Sequence, residues 1–198
     1  MDLAHATDAE IAAFYERDRQ TAHHAGGRDR RPLLREYAVL AAVEQAHAKT
    51  VLDVGCGDGH LAQAMVRAGL SVVVMDATQG AVDEAIRRTN APGLVGLVEN
   101  LGAVDAFDAV TCCETIEHLR DPRNAVARLA RAARDLVVIT TPAGRCYDDP
   151  SHLHHWDDAA ALIEALDVRG VFVEHLVAEI PSQWGDTGRV FLLMGVPK

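Results

Sequence analysis

The densest chemical signal in this 198-residue sequence is the segment Val51-Leu-Asp-Val-Gly-Cys-Gly-Asp-Gly-His60. Glycines at 55, 57 and 59 let the backbone pass close beneath a ligand without side-chain collision. Their spacing is GxGxG. In the GxGxxG pattern that seats a pyrophosphate on a helix N-terminus, His60 would occupy the third glycine position, so a ligand without pyrophosphate suits the turn better. Asp53 is placed to orient an ammonium group, directly or through water. Asp76 follows about 20 residues beyond the first glycine, where a carboxylate after the next strand can accept hydrogen bonds from ribose hydroxyls. A second constellation is Cys113-Glu-Thr-Ile-Glu-His-Leu119. Glu114, Glu117 and His118 stand at i, i+3 and i+4, so one helical turn would align two carboxylates and an imidazole. Such a set can chelate a divalent cation or serve as an acid–base group. Downstream, Ser151-His-Leu-His-His-Trp156 offers more imidazoles.

The glycine turn with Asp76 resembles the class I S-adenosylmethionine-dependent methyltransferase family. The resemblance runs from about Tyr37 through Phe107-Asp-Ala-Val110 to Thr141-Pro142. It implies S-adenosyl-L-methionine as cofactor, held by Asp53, Gly55, Cys56, Gly57, Gly59 and Asp76, with Ala77 and Cys113 completing the lining. It also places Glu99 or Asn100 beside the adenine, although Leu101-Gly-Ala-Val lacks the family's polar pattern. The E-x-x-E-H motif followed by a later histidine is similar to two metal-dependent groups: the small-RNA 3′-terminal 2′-O-methyltransferases and the O-methyltransferases of ubiquinone biosynthesis. In the RNA group the last histidine lies four residues before a tryptophan. That rule selects His152, with His155 second, but the aromatic residue and glutamate preceding that tryptophan are missing here. The resemblance implies the metal set Glu114, Glu117, His118 and His152, with Mg, Mn or Fe as the ion suited to mixed O/N ligands. Metal-free relatives carry a similar motif in which the glutamates cap the helix or bond backbone amides. In that version His118 or His152 is the catalytic base.

The elements that must position these groups alternate. Apolar runs at Thr50–Val54, Ser71–Met75, Leu94–Val98, Phe107–Cys112 and Leu136–Thr140 read as strands. Amphipathic helices at Leu61–Ala68, from Thr78, and from Asp121-Pro122 separate them. Continuous apolar strands between helices predict a parallel sheet covered on both faces. A helix over Asp157–Leu166 then leads to strands at Val171–Ile180 and Arg189–Val196, which a short loop makes antiparallel. The expected fold is α/β: a Rossmann-like, doubly wound, mostly parallel seven-stranded sheet with a terminal antiparallel hairpin. The whole chain, 1–198, reads as one domain, with 1–47 an N-terminal helical cap and 48–198 the cofactor-binding core. In the cap, Thr7-Asp-Ala-Glu10 is a capping box before Ile11, Phe14 and Tyr15. Pro32 opens a second helix with Leu33, Tyr37, Leu40 and Val43 on one face. Between them lies a polar loop with His23, His24, Gly26-Gly27 and arginines at 28, 30 and 31, which could grip an anion. Trp184, in the last loop, could line a pocket.

Composition bounds the partners. The formal charge is −10, which disfavours phosphate-rich partners, so nucleic acid is not the expected substrate. No run is long enough to span a bilayer, and Met1–Glu10 has no signal pattern, which gives a cytoplasmic expectation and no membrane partner. Cys56, Cys112, Cys113 and Cys146 form no CxxC pair and read as free thiols. The short chain leaves a small-molecule substrate, or a pocket shared in a homodimer. The expected activity is O-methylation of a small molecule. The alternatives are metal-dependent 2′-O-methylation of an RNA 3′ end, and a non-catalytic cofactor-binding domain serving a partner protein.

Overall fold

The structure is a computed structural model that describes residues 5–20, 33–145, 149, 151–181 and 189–198. His23, His24, Gly26, Gly27, Arg28, Arg30, Arg31, Pro32, Cys146 and Trp184 lie outside the described residues. Helix α1 (Asp8–Gln20) and helix α2 (Leu34–Gln45) precede the alternating core. That core runs β1 (Thr50–Val54), α3 (His60–Arg67), β2 (Ser71–Asp76), α4 (Gln79–Thr89), β3 (Gly93–Val95), β4 (Phe107–Cys113), α5 (Pro122–Ala132) and β5 (Ala133–Pro142). It closes with α6 (Ala159–Leu166), α7 (Val168–Val171), β6 (Phe172–Pro181) and β7 (Arg189–Pro197). The seven strands form one sheet in the order β3-β2-β1-β4-β5-β7-β6. All neighbours among β1 to β5 are parallel, and β7 runs antiparallel between β5 and β6. This is the sheet that the sequence pattern predicts.

Successive residues of the central strands enter opposite cores, as strand geometry requires. Leu52, Val137 and Ile139 pack with Val126 and Leu129 of α5, while Val51 and Val138 pack with Val39 and Val43 of α2 and Met65 of α3. Helix α2 therefore belongs to the packing of one sheet face. Its buried positions are Glu36, Val39, Ala42 and Val43, whereas Tyr37, expected on the apolar face, is 56% exposed.

Helix α1 is the element that lies apart. The Thr7–Glu10 capping box forms: the Thr7 hydroxyl accepts from the Glu10 amide at 3.3 Å, and the Glu10 carboxylate accepts from the Thr7 amide at 2.8 Å. Its apolar side makes a small separate cluster of Ala6 and Ile11 with Phe14, Tyr15, Leu97 and Leu153. Polar contacts stretch it across the carboxyl ends of the strands. Arg120 donates to the Ala6 carbonyl at 3.0 Å and pairs with Asp8, Asn100 donates to Asp8 at 3.3 Å, and Glu16 accepts from the Gly80 amide at 3.2 Å.

Two expectations change. The third strand stops at Val95 and its continuation is a 3-10 turn at Val98–Asn100, because this edge strand has β2 alone to pair with and Gly96 turns the chain after its amide bonds the Asp76 carbonyl. The α-helical turn expected over Glu114–His118 is absent. Glu114 adopts a left-handed backbone (φ 49°) and a 3-10 turn occupies Ile116–His118.

Candidate active site

Strand order reverses between β1 and β4, and ligands of open α/β sheets bind outside the carboxyl ends at such a switch point. The ends of β1, β2, β4 and β5 deliver Gly55–Gly59, Asp76, Glu114 and Thr140–Pro142 to this edge.

The glycine turn is strained for any other residue. Gly55 has φ 70°, and a Cβ there would stand 2.1 Å from the Thr115 hydroxyl oxygen. Gly57 also has positive φ (53°), but a Cβ there would meet nothing within 4 Å, so its backbone faces open space. Asp76 braces the turn. Its Oδ2 accepts from the Gly57 amide at 3.1 Å, and its Oδ1 accepts from the Thr78 amide and hydroxyl at 3.0 and 3.1 Å. Asp53 is 2% exposed; Oδ1 accepts from the Thr111 hydroxyl at 2.7 Å, while Oδ2 is buried with no hydrogen-bond partner among the described residues. Burial pushes the Asp53 pKa up to about 7, against the opposing bond from Thr111. A buried acceptor left over beside a glycine turn fits a ligand that brings a donor such as an ammonium. Glu99 likewise keeps a buried Oε2 with no partner among the described residues, whereas Asn100 is exposed and spent on Asp8. Cys56 is buried and Cys113 half-buried, and desolvation raises both thiols, which disfavours the nucleophilic thiolate. Ala77, half-buried, follows Asp76 at the end of β2.

The second constellation gathers around Glu117, which is 1% exposed. Its Oε2 accepts from the Thr141 hydroxyl at 3.0 Å, and its Oε1 is buried without a hydrogen-bond partner among the described residues. Burial first, and the Glu114 carboxylate second, hold the Glu117 pKa well above the usual carboxylate range. Nε2 of His118 lies 3.9 Å from that Oε1. The His118 and His152 rings meet edge to face at 4.7 Å, and Tyr15 of α1 covers His118 at 5.7 Å. One ligand atom each from Glu117, His118 and His152 lies within 4.8 Å of the other two. Desolvation lowers the His152 pKa. Glu114 is not in this cluster: its Oε1 accepts from the Thr140 hydroxyl at 2.9 Å. The reason is local, because the left-handed Glu114 and the tighter 3-10 turn break the i, i+3, i+4 alignment. His152 is carried by the 151–154 segment, whose Leu153 and His154 amides both donate to the Glu117 carbonyl, at 2.8 and 3.1 Å. His154 donates from Nε2 to the Leu119 carbonyl at 2.9 Å and stacks on buried Trp156, so its role is packing. The sequence pattern alone did not single out Thr140, Thr141, Asp149 or Ser151. Two threonines ending an otherwise apolar strand were the available signal.

The sheet order, glycine turn and β2 acid together define a class I S-adenosylmethionine-dependent methyltransferase. The chain belongs to the methyltransferase domain family, which matches residues 23–176. A relative from Xanthomonas axonopodis pv. citri, named ubiquinone biosynthesis O-methyltransferase, is 34% identical over 185 residues, covering 80% of this chain and 77% of the relative. The mitochondrial enzyme of that name from Schizosaccharomyces pombe is 39% identical over 84 residues, but the match spans only 31% of its length. The magnesium protoporphyrin IX methyltransferase of Synechocystis PCC 6803, solved with bound SAH, shares the fold with a TM-score of 0.73 at 15% identity, over 97% of this chain and 100% of that one. Among the described residues no helix is long and apolar enough to cross a membrane.

Proposed function

We propose that this methyltransferase methylates an oxygen of a small molecule, with Glu117, His118 and His152 holding and deprotonating the acceptor hydroxyl. The observation that carries this reading is the convergence of one buried carboxylate oxygen and two imidazoles at the carboxyl edge. The similarity to the Xanthomonas O-methyltransferase supports the acceptor atom. Gly55, Gly57, Gly59, Asp53 and Asp76 would hold S-adenosylmethionine, with Glu99 toward its base. When bound, the cofactor supplies an electrophilic methyl group on its sulfonium. The protein's task is to align the acceptor and exclude water, and α1 with Tyr15 covers the corner where that happens. A hydroxyl becomes a competent nucleophile only as it loses its proton, and an imidazole can take that proton; a cation formed there favours the ionised form of Glu117, which burial otherwise disfavours.

The same three groups also suit a divalent cation. The buried Glu117 Oε1 has no hydrogen-bond partner among the described residues, and O/N/N donors match Mg, Mn or Fe better than a closed structural zinc site. Such an ion would supply Lewis acidity to the acceptor oxygen. Glu114 would enter such a set only by exchanging its bond from Thr140. An RNA end is disfavoured as acceptor by the formal charge of −10.

The test is labelled-methyl transfer to a panel of small phenolic hydroxyl acceptors and to a short RNA duplex at physiological salt, each with and without chelator. Transfer to phenols, lost in His118→Ala, is expected. Transfer confined to the RNA end would reverse the assignment. Chelator-sensitive transfer restored by Mn²⁺ would establish the metal version.

A further inference from the structure

His118 Nδ1 is held by two atoms of one residue, at 3.0 Å from the Ser151 hydroxyl oxygen and 3.1 Å from the Ser151 carbonyl. The carbonyl can only accept. The hydroxyl has a single proton, and that proton is directed to Asp149 Oδ1, 2.6 Å away. The same carboxylate oxygen accepts from the Ser151 amide at 2.8 Å. With its proton committed, the Ser151 oxygen presents only lone pairs to the imidazole. Both partners of Nδ1 are then acceptors, and a neutral ring has one proton to satisfy them.

We propose that Asp149 and Ser151 are positioning residues that lock His118 as the Nδ1–H tautomer, so that Nε2 carries the lone pair facing Glu117 Oε1 and His152. This rests on the reading of His118 as a group that handles the acceptor proton, and it selects which nitrogen does so. An Nδ1–H ring can take a proton, or accept a ligand, only through Nε2, the atom that lies 3.9 Å from Glu117 and within the three-residue cluster. The arrangement also fixes the ring plane. Two acceptors on one side and the edge-on rings of Tyr15 and His152 on the others leave one orientation. Partners behind an imidazole set its tautomer and raise its basicity; behind a metal-ligating imidazole their loss typically costs about 10- to 100-fold in metal affinity or activity.

The experiment has a spectroscopic and a kinetic arm. Long-range ¹H–¹⁵N correlation of the ¹⁵N-labelled full chain, about two units above the ordinary imidazole pKa of ~6.5, should show His118 with a protonated Nδ1 and an unprotonated Nε2. His118→Gln supplies the assignment. Asp149→Ala should release the serine proton toward the ring and mix the tautomers, with kcat falling about tenfold or more and the affinity for S-adenosylhomocysteine unchanged within twofold. Asp149→Asn, which retains an acceptor oxygen, should restore most of the loss. An Nε2–H ring in the unaltered protein, or an Asp149→Ala variant with the same tautomer and the same kcat, would overturn the proposal. The nitrogen shifts do not depend on methyl transfer. A His118→Ala variant with full turnover would therefore overturn the function assigned to His118 while leaving the tautomer result standing.

Discussion

The Gly57 amide donates to Asp76 Oδ2 at 3.1 Å, joining the glycine turn after β1 to the acid one strand later. Asp76 is thus both the candidate acceptor for ribose hydroxyls and the brace of the loop that must pass beneath them. Its other oxygen serves Thr78, the N-cap of α4, whose hydroxyl accepts from the Ala81 amide. One carboxylate ties β2 to the turn after β1 and to the start of the next helix.

Removing it should therefore hurt twice. Asp76→Ala deletes a charged acceptor, so S-adenosylhomocysteine should bind about 1.5–3 kcal/mol more weakly. The variant should also melt earlier, because the Gly57 and Thr78 amides lose their partner. Calorimetry that finds unchanged affinity would remove Asp76 from the cofactor site.

Asp53 predicts a proton linkage. Its pKa is raised from 3.8 to about 7, so between those values the folded protein keeps a proton that the unfolded chain has lost. Stability attributable to this group therefore falls as pH rises through that window, by roughly a few kcal/mol in total. Asp53→Asn should flatten the decline. A ligand ammonium beside Oδ2 favours the carboxylate, so binding below about pH 7 should release a proton. The calorimetric enthalpy should then depend on the buffer's ionisation heat, and that dependence should vanish in Asp53→Asn.

Arg88 supports the turn from below. Its side chain is 7% exposed, and Nε donates to the Asp58 carbonyl at 2.7 Å. Helix α4 also presses on the turn: a Cβ at Gly59 would stand 2.8 Å from the Ala85 Cα. Replacing Arg88 with Met keeps the buried stem and loses the bond. The KM for S-adenosylmethionine should rise about tenfold, with kcat unchanged. A fall in kcat at constant KM would place Arg88 in a different role.

Sheet topology and the glycine turn were legible because they follow from patterns local in sequence: apolar runs alternating with amphipathic helices, and glycines at fixed offsets. The third strand was overextended because Leu97 and Val98 are apolar for another reason. They pack against α1 and the α5 side of the core, not in a ladder. Glu114 was misaligned because spacing predicts facing side chains only when the helix is α, and the φ of one residue decides that. His152 is carried to Glu117 by backbone bonds between distant segments, which no local spacing encodes. The cap was half legible: the α1 capping box was read correctly, while α2 was assigned to the cap from its position in the chain, although its Val39 and Val43 pack on the sheet.

Glu117 separates stability from turnover. A carboxyl group this buried, with one oxygen bonded to Thr141 and the other lacking a hydrogen-bond partner among the described residues, costs folding energy, most of all when ionised. Glu117→Gln keeps the shape and leaves an amide oxygen to accept from Thr141. Its NH₂ can donate toward His118 Nε2, which lies 3.9 Å from the present Oε1. The variant should have an unchanged or higher melting temperature. Turnover should fall by about 100-fold, because an amide cannot ionise in response to a protonated imidazole or a bound cation, as the Glu117 carboxyl can on the proposed reading, and it occupies the Nε2 lone pair that on that reading takes the substrate proton. The affinity for S-adenosylhomocysteine should not move, since on the proposed reading that ligand rests on the glycine turn. Full activity in Glu117→Gln would show that the buried oxygen is a packing compromise and would leave the two histidines to act without it. A variant that loses activity and stability together would instead mark Glu117 as structural through its bond to Thr141. Thr141→Val decides between these outcomes: it removes that bond, and on the catalytic reading it should lower the melting temperature far more than kcat.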